Sequence, residues 1–515
     1  MVGIIGTSLQ GEGGFLHSYA VFFSSNTYVR ILIRTLVSAS VVTVFCLLLG
    51  YPYAYLMSRT RGWVLQVLSG IVLLSFFTSV MVRSFAWIVL LQRNGIIDQL
   101  VQSLGMGSLV LRGTTLGVNL AMVQIMLPFM IFPLYSVMAG FDNRLGTAST
   151  SLGAHRRTTF WRIYFPLSMP GVVSGSVIVF VTSLGFYIIP GMVGGPSSQL
   201  LSYLIYSLVN NDLNVVMAST ASVVMLVSAL ILVLPIMRRF DLSSKAVARF
   251  SVPEPMGERK PRLLLLWSGL VAALLMLPGL VVVPISFPEN RSFVFPPTGF
   301  SLTWYRNFFT QPDWWGSFIS SLQVAALVTV VATALSVLTA LALTRVSPRA
   351  RMLIRAIVLT PKIMPGIVIA IAIYGLFLNW HLNSSVTGFV IAHTLKALPF
   401  AFLPIAAALE QFDSRLEHAS SSLGASKWTT FVSVVLPMIR TGMLTGGLFA
   451  FVISFDEVVV SLFLSGARMR TLPVQMYRSI ESDVDPTVAA ASTMLLVLTT
   501  LIVVLTMIYT NKKRN

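Results

Sequence analysis

A 26-residue block occurs twice in this 515-residue chain, and the repetition limits the fold to one built from two related halves. Residues 141 to 166 read FDNRLGTASTSLGAHRRTTFWRIYFP and residues 412 to 437 read FDSRLEHASSSLGASKWTTFVSVVLP, an offset of 412 − 141 = 271. The copies align without a gap and agree at 14 positions. The same offset carries Leu127-Pro128-Phe129 onto Leu398-Pro399-Phe400 and Pro133 onto Pro404. Similarity at one fixed spacing over this length marks an internal duplication.

Each copy is a polar interruption between apolar runs. Five apolar segments lie at about 30–57, 64–91, 114–139, 168–190 and 215–237. Six more lie at about 263–286, 317–344, 354–378, 386–409, 439–464 and 487–510. Each reaches the roughly 20 residues that a bilayer crossing requires, and lipid leaves the backbone no alternative to a helix there. With 56% hydrophobic and 10% charged residues, a chain of this length carries more apolar surface than one soluble core can bury. The expected fold class is therefore an all-α polytopic membrane protein with about 11 transmembrane helices in two tandem homologous bundles.

The expected organisation follows the apolar runs. Residues 1–29 carry no basic cluster and no cleavage signal, and read as an extracytoplasmic or interfacial lead-in. Residues 30–237 form a first half of five spans and residues 263–510 a second half of six. Between them, 238–262 holds seven Lys or Arg, three acidic residues and three prolines, the composition of a cytoplasmic linker. A basic tail, 511–515, closes the chain.

Placing both duplicated loops in the cytoplasm puts Arg59 and Arg61, the linker, the Arg345/Arg349/Arg351/Arg355 cluster and the tail on that side. The acidic run Glu481, Asp483 and Asp485 then falls outside, as does the N-terminus. This is the distribution that the positive-inside rule demands, and it accounts for the net charge of +18 without nucleic acid. The aromatic, proline-rich stretch 287–316 suits the outer membrane interface. The single cysteine, Cys46, lies in an apolar run, so no disulfide framework and no cysteine-based metal site is expected.

The duplicated block has the composition of a short surface helix, a turn at Gly153 or Gly424, and a second short helix ending where Pro166 or Pro437 opens the next span. Its spaced apolar residues form one face of an amphipathic helix, which must lie on the bilayer or on a protein partner. Two copies on one membrane face fit a partner with two-fold symmetry. The block resembles the EAA loop of ABC importer permeases, an acidic-Ala-Ala segment followed by a glycine and a hydrophobic-Pro exit. The resemblance implies that the loops dock into a homodimeric ABC ATPase at the cytoplasmic face. It assigns coupling to Asp142, Ala148, Gly153 and Pro166 in the first copy and to Asp413, Glu417, Ala419, Gly424 and Pro437 in the second. The first copy departs from the pattern, with Gly146 opposite Glu417 and Thr147 opposite His418.

The chain has no G-x-x-x-x-G-K-[ST] phosphate loop, so the resemblance implies a transport subunit and not an enzyme. It implies no cofactor in this chain, with ATP and magnesium on the partner ATPase, and an extracytoplasmic solute-binding protein as a second partner. The implied location is a bacterial inner membrane. Behind each loop, small residues recur four apart, Gly171 with Gly175 and Gly442 with Gly446. That spacing permits close helix packing, expected between the two post-loop helices.

Asp456 and Glu457 sit side by side in an apolar segment, where each charge costs roughly 2.5 to 3.5 kcal/mol if it faces lipid. They are expected to face water, a partner residue or a cargo molecule, or to reach solvent at a helix end. The segment SFDEVVVSLFLSG with TLPVQMY resembles one of the paired permeases of spermidine/putrescine importers, and VRSFAWIVLLQRNGIIDQL resembles the other, as though the two had been fused. The resemblance implies polyamine transport, with Asp456 and Glu457 meeting ammonium groups and Phe186, Tyr187 or Trp87 packing on the methylenes. Lys362, Lys396, His393 and Arg83 are basic positions within or at the ends of spans. They could snorkel, pair with the acids or meet an anionic cargo. Related importers carry ferric iron or phosphonates, and internal repeats also occur in ion-driven secondary transporters.

Overall fold

The computed structural model describes residues 2–10, 16–141, 144–239, 262–291, 295, 297, 299–413, 415–482 and 485–512. Asp142, Asp483, most of the basic linker and the end of the tail lie outside the described residues. Among those described, regular structure is helical, with two isolated bridge contacts, Gly113 with Gly194 and Pro288 with Phe300.

Two short helices, α1 (Val2–Ser8) and α2 (His17–Ser24), lead into α3 (Asn26–Ser58), α4 (Gly62–Phe77), α5 (Val80–Leu91), α6 (Ile96–Ser103) and α7 (Thr115–Met138). The first duplicated loop supplies α8 (Arg144–Ser151) and α9 (Arg156–Thr159), and a π-helical turn, Phe160–Tyr164, joins it to α10 (Phe165–Leu184). Then come α11 (Ile188–Met192), α12 (Leu201–Asn210) and α13 (Val215–Arg239). The second series runs α14 (Arg262–Ile285), α15 (Thr303–Thr310), α16 (Pro312–Arg345), α17 (Pro348–Ile363), α18 (Gly366–Asn379) and α19 (Val386–Glu410). The second loop contributes α20 (Arg415–Ser422), α21 (Lys427–Thr430) and the π turn Phe431–Val435. The chain closes with α22 (Leu436–Phe455), α23 (Val459–Leu464), α24 (Leu472–Ser482) and α25 (Thr487–Lys512).

The duplication extends well beyond the loops. Helix starts correspond at 312 − 26 = 286 for α16 and α3, and at 386 − 115 = 271 for α19 and α7. The difference, 286 − 271 = 15 residues, is an insertion between α5 and α7 that carries α6. Buried Asp98 organises this insertion: one carboxylate oxygen accepts from Ser108 Oγ (3.0 Å) and Leu109 N (2.7 Å), the other from Asn94 N (2.8 Å).

Nine described helices are long and apolar enough to cross a bilayer, or ten with one sharply bent pair counted as a span. The expected crossing 64–91 is two helices, α4 and α5. Thr78 leaves the helical conformation, and Ser79 caps α5 by accepting from Met81 N at 3.2 Å. The expected crossing 354–378 is likewise α17 and α18, bent by 102°. Here Pro365 removes a backbone donor and drives Met364 into an extended conformation (φ −90°, ψ 140°). The expected crossings 168–190 and 439–464 begin earlier, at Arg157 and Lys427, and leave the helix at Gly185 and Asp456. Pro166 and Pro437 therefore lie inside continuous helices, two residues past the end of a π turn. In each turn the widened ladder closes with a bond to the residue five back, Phe165 N to Phe160 O and Leu436 N to Phe431 O.

The chain forms two compact units that cut across the duplication. The smaller is Phe309–Arg478, and the larger combines Val2–Phe308 with Ser479–Asn515. In the larger unit α3, α7 and α10 pack together, α14 lies on α3, α4 and α5, and α25 lies on α4, α5 and α14. In the smaller, the corresponding trio α16, α19 and α22 surrounds a cluster that includes Val337, Leu343, Phe402, Ile405, Val435 and Ile439. Exposed Val330 and Leu338 on α16 and Leu266 and Leu270 on α14 are suited to lipid contact.

The spaced glycines serve packing, with a different partner from the expected one. Gly171 and Gly175 face Pro133, Leu134 and Met130 of α7, and Gly442 and Gly446 face Pro404, Ile405 and Ala401 of α19. Each pair admits the helix that precedes its own loop, because the loop returns the chain antiparallel to that helix. A Cβ on Gly446 would meet the Ala401 carbonyl oxygen at 2.6 Å, whereas one on Gly175 would meet the movable Met130 sulfur at 2.8 Å. Gly446→Ala is therefore expected to destabilise the protein by about 1–3 kcal/mol and Gly175→Ala by less, measured by thermal unfolding in detergent.

Candidate functional site

Two places in the structure combine exposed or charged groups with an interrupted backbone. The first is the pair of duplicated loops. Helix α8 ends in a Schellman cap, with Ala154 N donating to Ser149 O (3.1 Å), Gly153 N to Thr150 O (3.0 Å), and Gly153 at φ +79°. The second copy repeats it, with Ala425 N on Ser420 O (3.2 Å), Gly424 N on Ser421 O (3.0 Å), and Gly424 at φ +82°. A hydroxyl pair then ties the two short helices of each loop together: Ser149 with Thr159 at 2.8 Å, Ser420 with Thr430 at 2.9 Å.

This fold pushes one leucine of each loop into the open. Leu152 is 87% exposed and Leu423 88%, each immediately before the turning glycine, and Leu145 and Leu416 lie exposed seven residues earlier. Ala148 and Ala419 are also exposed, and Leu152 N and Leu423 N donate to their carbonyls at 3.1 Å. Glu417 is half-buried on α20, with its backbone carbonyl accepting from Ser421 Oγ at 2.9 Å. Exposed Asp413 accepts from Arg415 N at 2.9 Å as the helix begins.

The second place is the break between α22 and α23 in the smaller unit. Phe455 ends the helix, Asp456 occupies its C-cap (φ −91°, ψ 8°), and Glu457 follows in the gap. The Glu457 carboxylate is buried. One oxygen is paired with the Lys396 ammonium of α19, and the other accepts from Val460 N at 2.9 Å at the start of α23. His393, one turn before Lys396 and fully buried, bridges the same gap: Nδ1 is hydrogen-bonded to Ser454 Oγ at 3.0 Å and Nε2 to Ser461 Oγ at 2.9 Å. Ser461 Oγ in turn donates to Glu457 O at 2.6 Å. Lys362, at the end of α17, lies with its ammonium over the Phe400 ring at 5.3 Å.

The larger unit meets the same break with apolar chemistry. At the 271-residue offset of the duplication, Gly185 and Phe186 correspond in sequence to Asp456 and Glu457, Ile125 to Lys396, and Met122 to His393. Phe186 and Tyr187 are buried, and Tyr187 stacks on Tyr206 at 4.9 Å. Buried Trp87 donates from Nε1 to Gln124 Oε1 at 3.2 Å, and Gln124 Nε2 lies 3.4 Å from both Ser75 Oγ and Leu275 O. Ser454 and Ser461 carry no sequence signal, since the seven-residue spacing that would align them on one helix is interrupted by the break. Gln124 carries no signal either, being neutral within an apolar run.

A family model described as "binding-protein-dependent transport system inner membrane component" matches residues 46–241 and again residues 332–514. The chain belongs to this family. The two matches begin 332 − 46 = 286 residues apart, the offset that separates α3 from α16, so each repeat is one permease unit of the family. The spermidine/putrescine transport system permease protein PotC of Haemophilus influenzae is 31% identical over 245 residues, 48% of this chain and 95% of the relative. PotB of the same organism, with the same transport system in its name, is 31% identical over 207 residues, 39% of this chain and 72% of the relative. The crystal structure of a bacterial alginate ABC transporter overlays 47% of this chain and 88% of its own at 18% identity, with a TM-score of 0.41. The chain is thus a multi-pass inner-membrane permease in which two permease units share one polypeptide, and its relatives are transport subunits rather than enzymes.

In this permease the His393 bridge holds the broken helix in register. His393→Leu should destabilise by about 1–3 kcal/mol, because it leaves buried serine hydroxyls with fewer partners. Combining it with Ser454→Ala should recover part of that loss, as thermal unfolding of the purified variants will read.

Proposed function

We propose that this chain is the complete transmembrane pathway of an ATP-driven, binding-protein-dependent importer for polyamines such as putrescine and spermidine. The observation that carries the coupling part is the pair of matching loops, each presenting a nearly fully exposed leucine beside a left-handed glycine. An apolar side chain so exposed at a helix end suits insertion into a protein cleft, and two copies suit the two subunits of a homodimeric ATPase. The ATPase binds ATP and magnesium, and this chain contributes the surface that receives its motion. Residues Asp142, Ala148, Gly153 and Pro166, with Asp413, Glu417, Ala419, Gly424 and Pro437, form the coupling elements. Gly146 opposite Glu417 makes the two contacts chemically unequal.

The loops, the Arg345–Arg355 cluster and the C-terminal tail face the cytoplasm, and the N-terminus faces outside, where a solute-binding protein delivers the cargo. Polyamine cargo is supported by the similarity to two spermidine/putrescine permeases and by the carboxylates Asp456 and Glu457 at an interrupted helix. Phe186, Tyr187 and Trp87 are the aromatic side chains that the first repeat contributes, buried in this conformation and reached by cargo only when the bundles move. Closure of the ATPase dimer is passed through both loops, and the helix bundles alternate between outward and inward access.

Reconstitution with the ATPase and a putrescine-loaded binding protein tests the reading. ATPase stimulation with uptake supports it, stimulation only by an iron- or phosphonate-loaded binding protein replaces the cargo, and uptake that follows an ion gradient without ATP replaces the class. Gly424→Pro cannot adopt φ +82° and loses the capping donor, so it should insert normally yet abolish ATP-dependent uptake. Leu152→Asp with Leu423→Asp should release the ATPase from the purified complex, which size-exclusion chromatography will show; retention with full uptake counts against the docking role.

A further inference from the structure

The buried pair Lys396–Glu457 has a property that packing alone does not require. Glu457 is 6% exposed, and the Lys396 side chain that neutralises it retains 21% exposure, so the cationic partner is the more accessible of the two. The pair sits where the helix is interrupted between α22 and α23, and non-helical backbone at membrane depth persists only against protein or a water-filled cavity. The Lys396 side chain ends in a primary ammonium on a four-methylene stem. One end of putrescine is the same chemical group. A position built to hold this ammonium against the Glu457 carboxylate is therefore built to hold an alkylammonium ion.

Charge balance sharpens the point. Asp456 and Glu457 carry two negative charges, Lys396 and Lys362 two positive ones, and His393 has both ring nitrogens engaged with serine hydroxyls. A diammonium cargo added to this set with nothing displaced would leave two uncompensated positive charges in a poorly solvated region. A cargo ammonium that replaces Lys396 at Glu457 keeps that carboxylate neutralised before, during and after passage, while the displaced Lys396 ammonium swings on its flexible stem to the accessible side that its 21% exposure already reaches. The first repeat has Ile125 and Phe186 at the matching positions, so the device is present on one side of the duplication only.

We propose that Lys396 is a tethered stand-in for the cargo, neutralising Glu457 when the pathway is empty and yielding its place to an incoming primary alkylammonium group. The proposal rests on the polyamine reading and adds the identity of the competing group. It makes the membrane site weak by design, since every cargo ion must displace a resident one.

Binding of radiolabelled putrescine and of n-butylammonium to the full chain in nanodiscs tests this. Lys396→Met should bind both roughly tenfold or more tightly than the wild type, and Lys396→Met with Glu457→Gln should lose that gain. No gain in the single variant, or a gain that survives the Glu457 change, overturns the proposal. Lys396→Arg keeps the pair and so guards against loss of fold. Its bidentate guanidinium should hold Glu457 harder and weaken putrescine binding several-fold, and unchanged binding would count equally against the idea. Lys396→Cys in a Cys46→Ala background should behave as the methionine variant until aminoethylation of the new thiol restores the ammonium and the weak binding. n-Butylammonium reads the site whatever the cargo is. A complex that ignores putrescine-loaded binding protein therefore sinks the polyamine reading, while the n-butylammonium result separately decides the exchange at Glu457.

Discussion

Backbone polar groups inside a bilayer have no water to turn to, and this single constraint shapes the chain more than any side chain does. Long helices such as α3 and α16 meet it without help. Where a helix stops short, at Thr78, Met364, Gly185 and Asp456, a cap, a buried polar side chain or a neighbouring helix has to take over the bonds. Glu457 accepting from Val460 N, and His393 and Ser461 holding the two ends of the same gap, are the local solution at one of these breaks. The breaks are consequently where polar residues are tolerated, and the groups able to meet a charged solute collect there.

The duplication shows how one backbone solution can carry two chemistries. The trio α3, α7, α10 and the trio α16, α19, α22 pack alike, and both post-loop helices run through a π turn into a proline. Yet where the second repeat places Lys362 over Phe400, the first pairs Phe76 with Phe129 edge to face at 5.2 Å. An aromatic contact and a cation over a ring fill similar space with different electrostatics. Fusion into one chain fixes the two repeats in a one-to-one ratio, which leaves each free to specialise.

Much of this was legible in the sequence because membrane spans announce themselves by length and apolarity, and a gap-free repeat announces itself by spacing. Gly153 and Gly424 could be read as turns because the left-handed conformation is costly for other residues. Ser79 gives no comparable notice, standing inside an otherwise unbroken apolar run; Pro365 is a helix breaker, but prolines also lie inside α7 and α19, so a proline alone does not tell a break from a continuous span. The partner of the Gly442 and Gly446 face is hidden for a related reason, since spacing tells that a helix can approach closely but not that α19 is the one that does. Lys396 and Glu457 were each conspicuous, but their union depends on α19 passing the α22–α23 gap, a tertiary fact separated by 61 residues of chain.

The composition of the larger unit sets an order of events during synthesis. Its bundle takes α14 from before the smaller unit and α25 from after it, whereas the smaller unit is one uninterrupted stretch, Phe309–Arg478. The whole of the smaller unit has been synthesised before the last helix of the larger one is made. The first repeat must therefore wait in the membrane, with the faces of α4 and α5 that receive α25 still uncovered, until the second repeat has been made. Truncation near the C-terminus would for this reason injure the bundle encoded first.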